Sequence, residues 1–141
     1  MKIKFSVLGE PQGKGRPRFH RLPNGSVGTS TPEQTVLYEN LIVTEYRRQC
    51  GSERFGDKDC IYMRIIAYYA IPASTSQKKR REMESGLLRP IKKPDVDNLA
   101  KVVCDALNKI AYRDDAQVVD AQVSKYYSDQ PRIEVIMQNA N

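Results

Sequence analysis

Hydrophobic and polar positions change rhythm along this chain, and the changes mark out its elements. Residues 1–9 alternate, with Ile3, Phe5 and Val7 on one side and Lys2, Lys4 and Ser6 on the other, the period of a half-buried strand. Residues 10–31 keep no period; Pro11, Gly13, Gly15, Pro17, Pro23, Gly25 and Gly28 punctuate a loop. Pro32-Glu33 opens a helix capped by Thr31, running to about Gln49 with Leu37, Leu41, Ile42 and Tyr46 inward. After a loop over 51–59, residues 60–71 form a strongly apolar strand. Residues 75–85 suit a short charged helix, followed by a loop over 86–93. Leu99, Val102, Val103, Ala106, Leu107 and Ile110 then recur at helical spacing, with Asp97 or Asn98 as the N-cap. Alternation returns at 118–127, and residues 132–138 close with Ile133, Val135 and Met137 inward. The order β-α-β-α-β-β predicts an α+β domain with two principal helices packed on a mixed sheet.

Length and composition narrow the class. A chain of 141 residues fits one domain, spanning 1–141. No apolar run approaches the roughly 20 residues that cross a bilayer, and the N-terminus lacks a signal peptide's apolar core. The 3 cysteines, Cys50, Cys60 and Cys104, form no C-x-x-C pair, so a reduced, cytoplasmic protein without zinc is expected. Lysine and arginine number 23 against 17 acids, a formal charge of +6. That excess implies a polyanionic partner only where it clusters, and it does so twice. Lys14, Arg16, Arg18 and Arg21 share a stretch without an acid. Lys78, Lys79, Arg80, Arg81, Arg89, Lys92 and Lys93 form a second run that leads straight into Pro94-Asp95.

There the charge reverses. Asp95, Asp97, Asp105, Asp114 and Asp115 surround the amphipathic helix, and Lys101 follows Asp97 by one turn. Carboxylates gathered this closely repel one another unless a cation or proton intervenes. A basic tract leading to an acidic pocket suits a phosphodiester substrate: cations hold flanking phosphates while a metal promotes attack on one of them. Magnesium, which takes hard carboxylate oxygens, fits the available ligands, and manganese could stand in for it. Other chemistries find less support. Gly9 to Lys14 imitates a phosphate loop, but with the wrong spacing and with Gly15 where Ser or Thr is required. His20 is the 1 histidine, without a Ser or Cys partner in view.

Lys93-Pro94-Asp95-Val96-Asp97-Asn98-Leu99-Ala100-Lys101, Cys104-Asp105-Ala106-Leu107-Asn108 and Asp114-Asp115-Ala116-Gln117-Val118 together resemble the RusA family of Holliday-junction resolvases, typically phage- or prophage-borne. Gly9-Glu10-Pro11, the segment from Lys14 to Phe19 and that from Thr31 to Glu39 also resemble segments of its members. The resemblance implies a homodimeric, magnesium-dependent endonuclease that nicks four-way DNA junctions symmetrically during recombination and repair. It matches Asp95, Asp97 and Asp115 to metal-binding catalytic carboxylates and Lys101 to a lysine essential for cleavage. Asp114 remains an alternative third ligand. Lys14, Arg16, Arg18, Lys78, Lys79, Arg80, Arg81, Lys92 and Lys93 are the candidate DNA contacts.

Two geometric expectations accompany this reading. If Asp95 and Asp97 precede the helix proper in extended chain, residues two apart point the same way and converge on one metal. The doublet, roughly 18 Å further along the helix, must double back or meet the Asp95 cluster across a dimer interface. Apolar surface for a dimer could come from the strand around Tyr62 to Tyr69, which is favoured, or from the tail around Ile133 to Met137. The alternatives are a non-catalytic basic DNA-binding module and a different metal nuclease acting on branched DNA. A P-D…(D/E)-x-K nuclease has its opening here, but no lysine follows Asp115 at the required place.

Overall fold

The most apolar strand becomes an inner strand of the sheet. In the computed structural model, which describes residues 1–140, the strands are β1 (Lys2–Leu8), β2 (Arg18–Arg21), β3 (Val27–Ser30), β4 (Ile61–Ala70), β5 (Val118–Ser128) and β6 (Arg132–Asn139). The helices are α1 (Glu33–Cys50), α2 (Gln77–Glu84) and α3 (Val96–Leu107). Four strands make one sheet in the order β1-β6-β4-β5. β4 runs antiparallel to β6 and parallel to β5, so the sheet is mixed as the element order predicts. The parallel pairing requires a crossover, which α2, α3 and the turn after α3 supply.

Alternation decides which face is buried. Ile61, Met63, Ile65, Ala67 and Tyr69 of β4 meet Ile3, Phe5 and Val7 of β1 and Ile133, Val135 and Met137 of β6 in one core. α1 and α3 cover this face with Tyr38, Ile42 and Tyr46 and with Leu99, Val102, Val103, Ala106 and Leu107. The rings of Phe5 and Tyr46 meet edge to face at 5.4 Å, an arrangement worth about 0.5–1.5 kcal/mol beyond its buried area. Edge strand β1 is blunted by a side chain. The Gln49 amide accepts from Ser6 N at 3.0 Å and donates to Ser6 O at 2.7 Å, standing in for a neighbouring strand.

The structure departs from the sequence pattern at several places. The loop over 10–31 contains the β2–β3 hairpin, whereas the expected short charged helix does form, as α2. On α1, Leu37 and Leu41 face out, 60% and 39% exposed, while Thr35, Tyr38, Ile42 and Tyr46 are buried. The cause is the N-terminal loop, which crosses α1 at Thr35: the Thr35 hydroxyl accepts from Gly15 N at 2.9 Å and turns that flank inward. Pro32, not Thr31, occupies the N-cap position of α1, and no side chain caps it. α3 starts at Val96, three residues before its first apolar anchor, and ends at Leu107, leaving Ile110 half-buried beyond it. Neither proposed dimer surface survives intact. Ile133, Val135 and Met137 are fully buried in the core, and so is Tyr69. Of the strand's tyrosines only Tyr62 and Tyr68 lie on the half-open opposite face of the sheet, beside Arg64 and Ile66.

Candidate active site and nucleic-acid interface

Asp95 is the N-cap of α3: its carboxylate accepts from Asn98 N at 3.0 Å, satisfying one of the amides that open every helix. Asp97 lies inside the first turn, where the positive end of the helix dipole favours it. The expectation that both residues sit in extended chain on one face is therefore corrected. Asp95 is the extended N-cap and Asp97 the second residue of the helix, so no strand alternation aligns them.

The entry to α3 is fixed from three sides. Tyr69, at the end of β4, donates its hydroxyl to Pro94 O at 2.6 Å. Lys125 of β5 donates to Lys92 O at 2.6 Å, and Arg89 donates to Lys125 O at 2.9 Å, tying the basic loop to the sheet. Gly13-Lys14-Gly15 threads between the two helices. A Cβ at Gly13 would lie 2.8 Å from Asn98 Cβ and 2.8 Å from Pro94 Cβ, so only glycine fits there. The segment that fails as a phosphate loop is thus a packing device that clamps the start of α3. Lys14 N donates to Asn98 O at 3.1 Å in the same clamp.

Charges at this end reinforce each other. Burial pushes the Tyr69 phenol up, and the nearby carboxylates of Glu10 and Asp95 push it further, so it remains a neutral donor. Burial lowers the pKa of Lys125, and the attraction of Asp95 works against that. Glu10 accepts from Ala70 N at 2.8 Å, at the edge where β4 ends. Glu10, Tyr69 and Lys125 are the residues that inspection of the sequence misses. Glu10 has a weak signal in Gly9-Glu10-Pro11; Tyr69 and Lys125 have none, because the sheet alone brings them to Asp95.

A second group lies at the far end of α3. Asp114 caps a single 3₁₀ turn (Asp115–Gln117), accepting from Ala116 N at 2.9 Å, while Gln117 accepts from Asp114 N at 3.1 Å. That commits the Asp114 carboxylate to local structure. Asp115 is half-buried, its amide held by Asn108 Oδ1 at 3.0 Å. Partial burial raises its pKa, and Asp114 and Asp105 raise it further, with Lys101 acting in the opposite sense. Asp105 pairs with Lys14 at 3.2 Å, not with Lys101 or Lys109, and Lys14 also pairs with Glu39 at 3.0 Å. Burial works against the Lys14 charge, but the two carboxylates outweigh it and hold its pKa above the ordinary value. Lys14, expected to contact DNA, is spent inside the protein.

Asp95 and Asp97 therefore stand at one end of α3 and Asp115 at the other, separated by a 12-residue helix of roughly 18 Å. Among the described residues, no three His, Cys, Asp or Glu side chains come close enough together to hold a metal ion. The remaining candidate cations divide by place. Arg16 and Arg18 are exposed before and in β2; Lys78, Lys79 and Arg81 are exposed on α2; Lys92 and Lys93 are exposed beside Asp95. Arg80 is tied to Glu84 at 3.3 Å and to Asp129, anchoring α2 to the end of β5.

Comparison with known proteins decides the family. Residues 9–138 match the endodeoxyribonuclease RusA family, and the match takes in every residue of both groups on α3. The chain belongs to the RusA endodeoxyribonuclease family. It is also 40% identical over 144 residues to the uncharacterized protein YqaN of Bacillus subtilis (strain 168), covering 99% of this chain and 97% of that protein. The RusA-family match makes this a nuclease domain and accounts for the charge layout, acids on α3 with basic segments leading into it. No helix is long and apolar enough to cross a membrane among the described residues.

Proposed function

We propose that this RusA-family chain is a magnesium-dependent endonuclease that binds branched DNA and resolves four-way junctions by paired symmetric nicks, working as a homodimer. The observation that carries the reading is the coincidence of the family match with the carboxylates and lysine arrayed along α3. Aspartate oxygens are the hard donors that magnesium takes, and the charge of Asp114 and Asp105, which adds to burial in raising Asp115, is negative charge a cation relieves. Asp95, Asp97 and Asp115 would hold the ion, with Asp114 kept to its cap. When bound, the ion supplies an activated water and offsets the charge gathering on the phosphate. Lys101, one turn beyond Asp97, meets that phosphate as a point charge, and Lys92 and Lys93 hold its neighbours.

The separation of the two acidic groups supports a dimer. Two α3 helices set antiparallel about a two-fold axis would bring the Asp95 end of one subunit toward the Asp115 end of the other. A four-way junction has the same symmetry. The test is nicking of a synthetic four-way junction with magnesium, set against the same mixture with chelator and against linear duplex. Paired nicks that need the metal and the branch support the reading. Chelator-resistant cutting, or equal cutting of duplex, overturns it. Junction binding without cleavage under magnesium or manganese would favour the non-catalytic DNA-binding module.

Lys101→Ala is expected to slow single-turnover cleavage by about a hundredfold while changing junction affinity by less than about threefold, because its contact strengthens as charge develops. Equal losses in the two measurements would make it one phosphate contact among many. Lys101→Arg should rescue little, since the planar fork does not occupy a point-charge position.

α2 supplies a second expectation. Its first turn carries Lys78 and Lys79 and no acid, against the positive end of the dipole, which costs roughly 0.3–1 kcal/mol per charge. Their placement does not serve helix stability, so a polyanion is the better explanation. Lys78→Glu with Lys79→Glu should raise the melting temperature slightly yet weaken junction and duplex binding about tenfold or more, lowering the salt slope by about 2. The opposite signs separate lost contacts from misfolding. Unchanged affinity and slope in this double variant would return the run to a solvated surface.

A further inference from the structure

β2 and β3 form a two-stranded sheet of their own, with Arg18 opposite Ser30, Phe19 opposite Thr29 and Arg21 opposite Val27. The turn is closed by Leu22 N donating to Ser26 O at 2.7 Å, with Gly25 in the left-handed region at φ 86. A free-standing hairpin is marginal in water and is expected to hide what apolar surface it has. This one does the reverse. Phe19 is 76% exposed and Val27 66%, and both share one face with Arg21, since cross-strand partners and residues two apart point the same way. On the opposite face the side chains of His20 and Leu22 lie over Gly28, where a Cβ would come within 2.9 Å of His20 Nε2.

The charge around that ring is one-sided. Between Gln12 and Pro32 the chain carries Lys14, Arg16, Arg18 and Arg21 and no acid. Lys14 is spent on Glu39 and Asp105, whereas Arg16, Arg18 and Arg21 enter no ion pair among the described residues. A flat apolar ring among free guanidinium groups, on a ribbon thin enough to enter a groove, complements a polyanion that offers an exposed aromatic face. Phenylalanine has no hydrogen-bonding group with which to read a base edge, but it stacks on any base regardless of sequence. Wedges of this kind open base steps, and opening costs least where stacking is already interrupted. A junction's branch point is such a place.

We propose that the β2–β3 hairpin is a branch-point wedge, in which Phe19 stacks on a base at the centre of the junction while Arg16, Arg18 and Arg21 hold the phosphates beside it. The inference rests on the reading of this chain as acting on four-way DNA. It adds to that reading the element that opens the branch and distinguishes it from continuous duplex.

The experiment uses the full chain with calcium in place of magnesium and a four-way junction carrying 2-aminopurine at the branch point. Wild-type protein should raise the 2-aminopurine fluorescence about threefold or more as the base unstacks. Phe19→Ala should lose most of that rise while binding duplex within about twofold of wild type, because its phosphate contacts remain. The chain has 0 tryptophans, so Phe19→Trp adds a single fluorophore whose emission should be quenched by the junction and not by duplex. A full fluorescence rise with Phe19→Ala, or an indole left unquenched by the junction, overturns the wedge. A change from dimer to monomer on Phe19→Ala, read by sedimentation, also overturns it and makes the hairpin a subunit contact. If wild type prefers junction to duplex without any fluorescence rise, the wedge alone fails. If it shows no preference for the junction, the proposed function fails first.

Discussion

An Asp95→Asn protein is expected to fold nearly as stably as wild type, to bind a four-way junction at least as tightly, and to cleave it about a thousandfold more slowly. The substitution is unusually clean because of where Asp95 sits. Its carboxylate accepts from Asn98 N at 3.0 Å as the cap of α3. Asparagine caps a helix as well as aspartate, so that hydrogen bond survives. Only the charge is lost, and its attraction to the helix dipole is worth about 0.3–1 kcal/mol. Binding should not suffer, since one fewer anion near a phosphate removes repulsion. Asp97→Asn should behave the same way, with no cap to lose. Asp105→Asn is the contrast, because Asp105 serves Lys14 at 3.2 Å and should leave cleavage within about tenfold of wild type. Single-turnover cleavage, junction affinity and thermal melting, measured together on the three variants, check the set. Near-normal nicking by folded Asp97→Asn protein would sink the metal-ligand assignment.

Mixing two inactive proteins is expected to restore activity. If each site joins the Asp95 end of one subunit to Asp115 of the other, a heterodimer of Asp97→Asn and Asp115→Asn subunits has one site with both substitutions and one with neither. Random exchange then gives half heterodimers, and about a quarter of all sites are intact. If each site were confined to one chain, every subunit would carry a lesion and the mixture would remain inactive. The two readings differ between near zero and a quarter, far outside experimental scatter. The recovered activity should consist of single nicks, because each heterodimer has one working site, and gel analysis of nicked against resolved junctions shows this directly. No recovery after proven subunit exchange would require the Asp115 group to reach Asp95 within its own chain. A species of 16.1 kDa that resolves junctions fully would remove the dimer altogether.

Local pattern was enough wherever one face of an element alone meets the core. Strands β1, β4 and β6 alternate cleanly, and the stripe from Leu99 to Leu107 gave α3, because burial on one side imposes the period directly on the sequence. The acids and Lys101 were legible for a similar reason, since their spacing belongs to a motif within one stretch of chain. What failed depended on partners distant in sequence. Leu37 and Leu41 looked like core residues, but the loop at Gly15 turned α1 toward Thr35 and Tyr38. Asp95 took the cap that Asp97 or Asn98 was expected to provide, because the chain entering from Pro94 is held by Tyr69 and clamped at Gly13.

The sequence by itself determined the fold class, the family and which charged residues lie along α3. Tertiary structure alone decided how those charges are used. It consumed Lys14 in the interior and Asp114 in a cap, brought Glu10, Tyr69 and Lys125 to the start of α3, and held the two acidic groups a helix length apart. The physical reason is that hydrophobic period is a property of one element against one surface, whereas an ion pair, a clamp or a cap depends on which other segment arrives there. Such arrivals are set by the packing of the whole sheet, and no window of the sequence contains them.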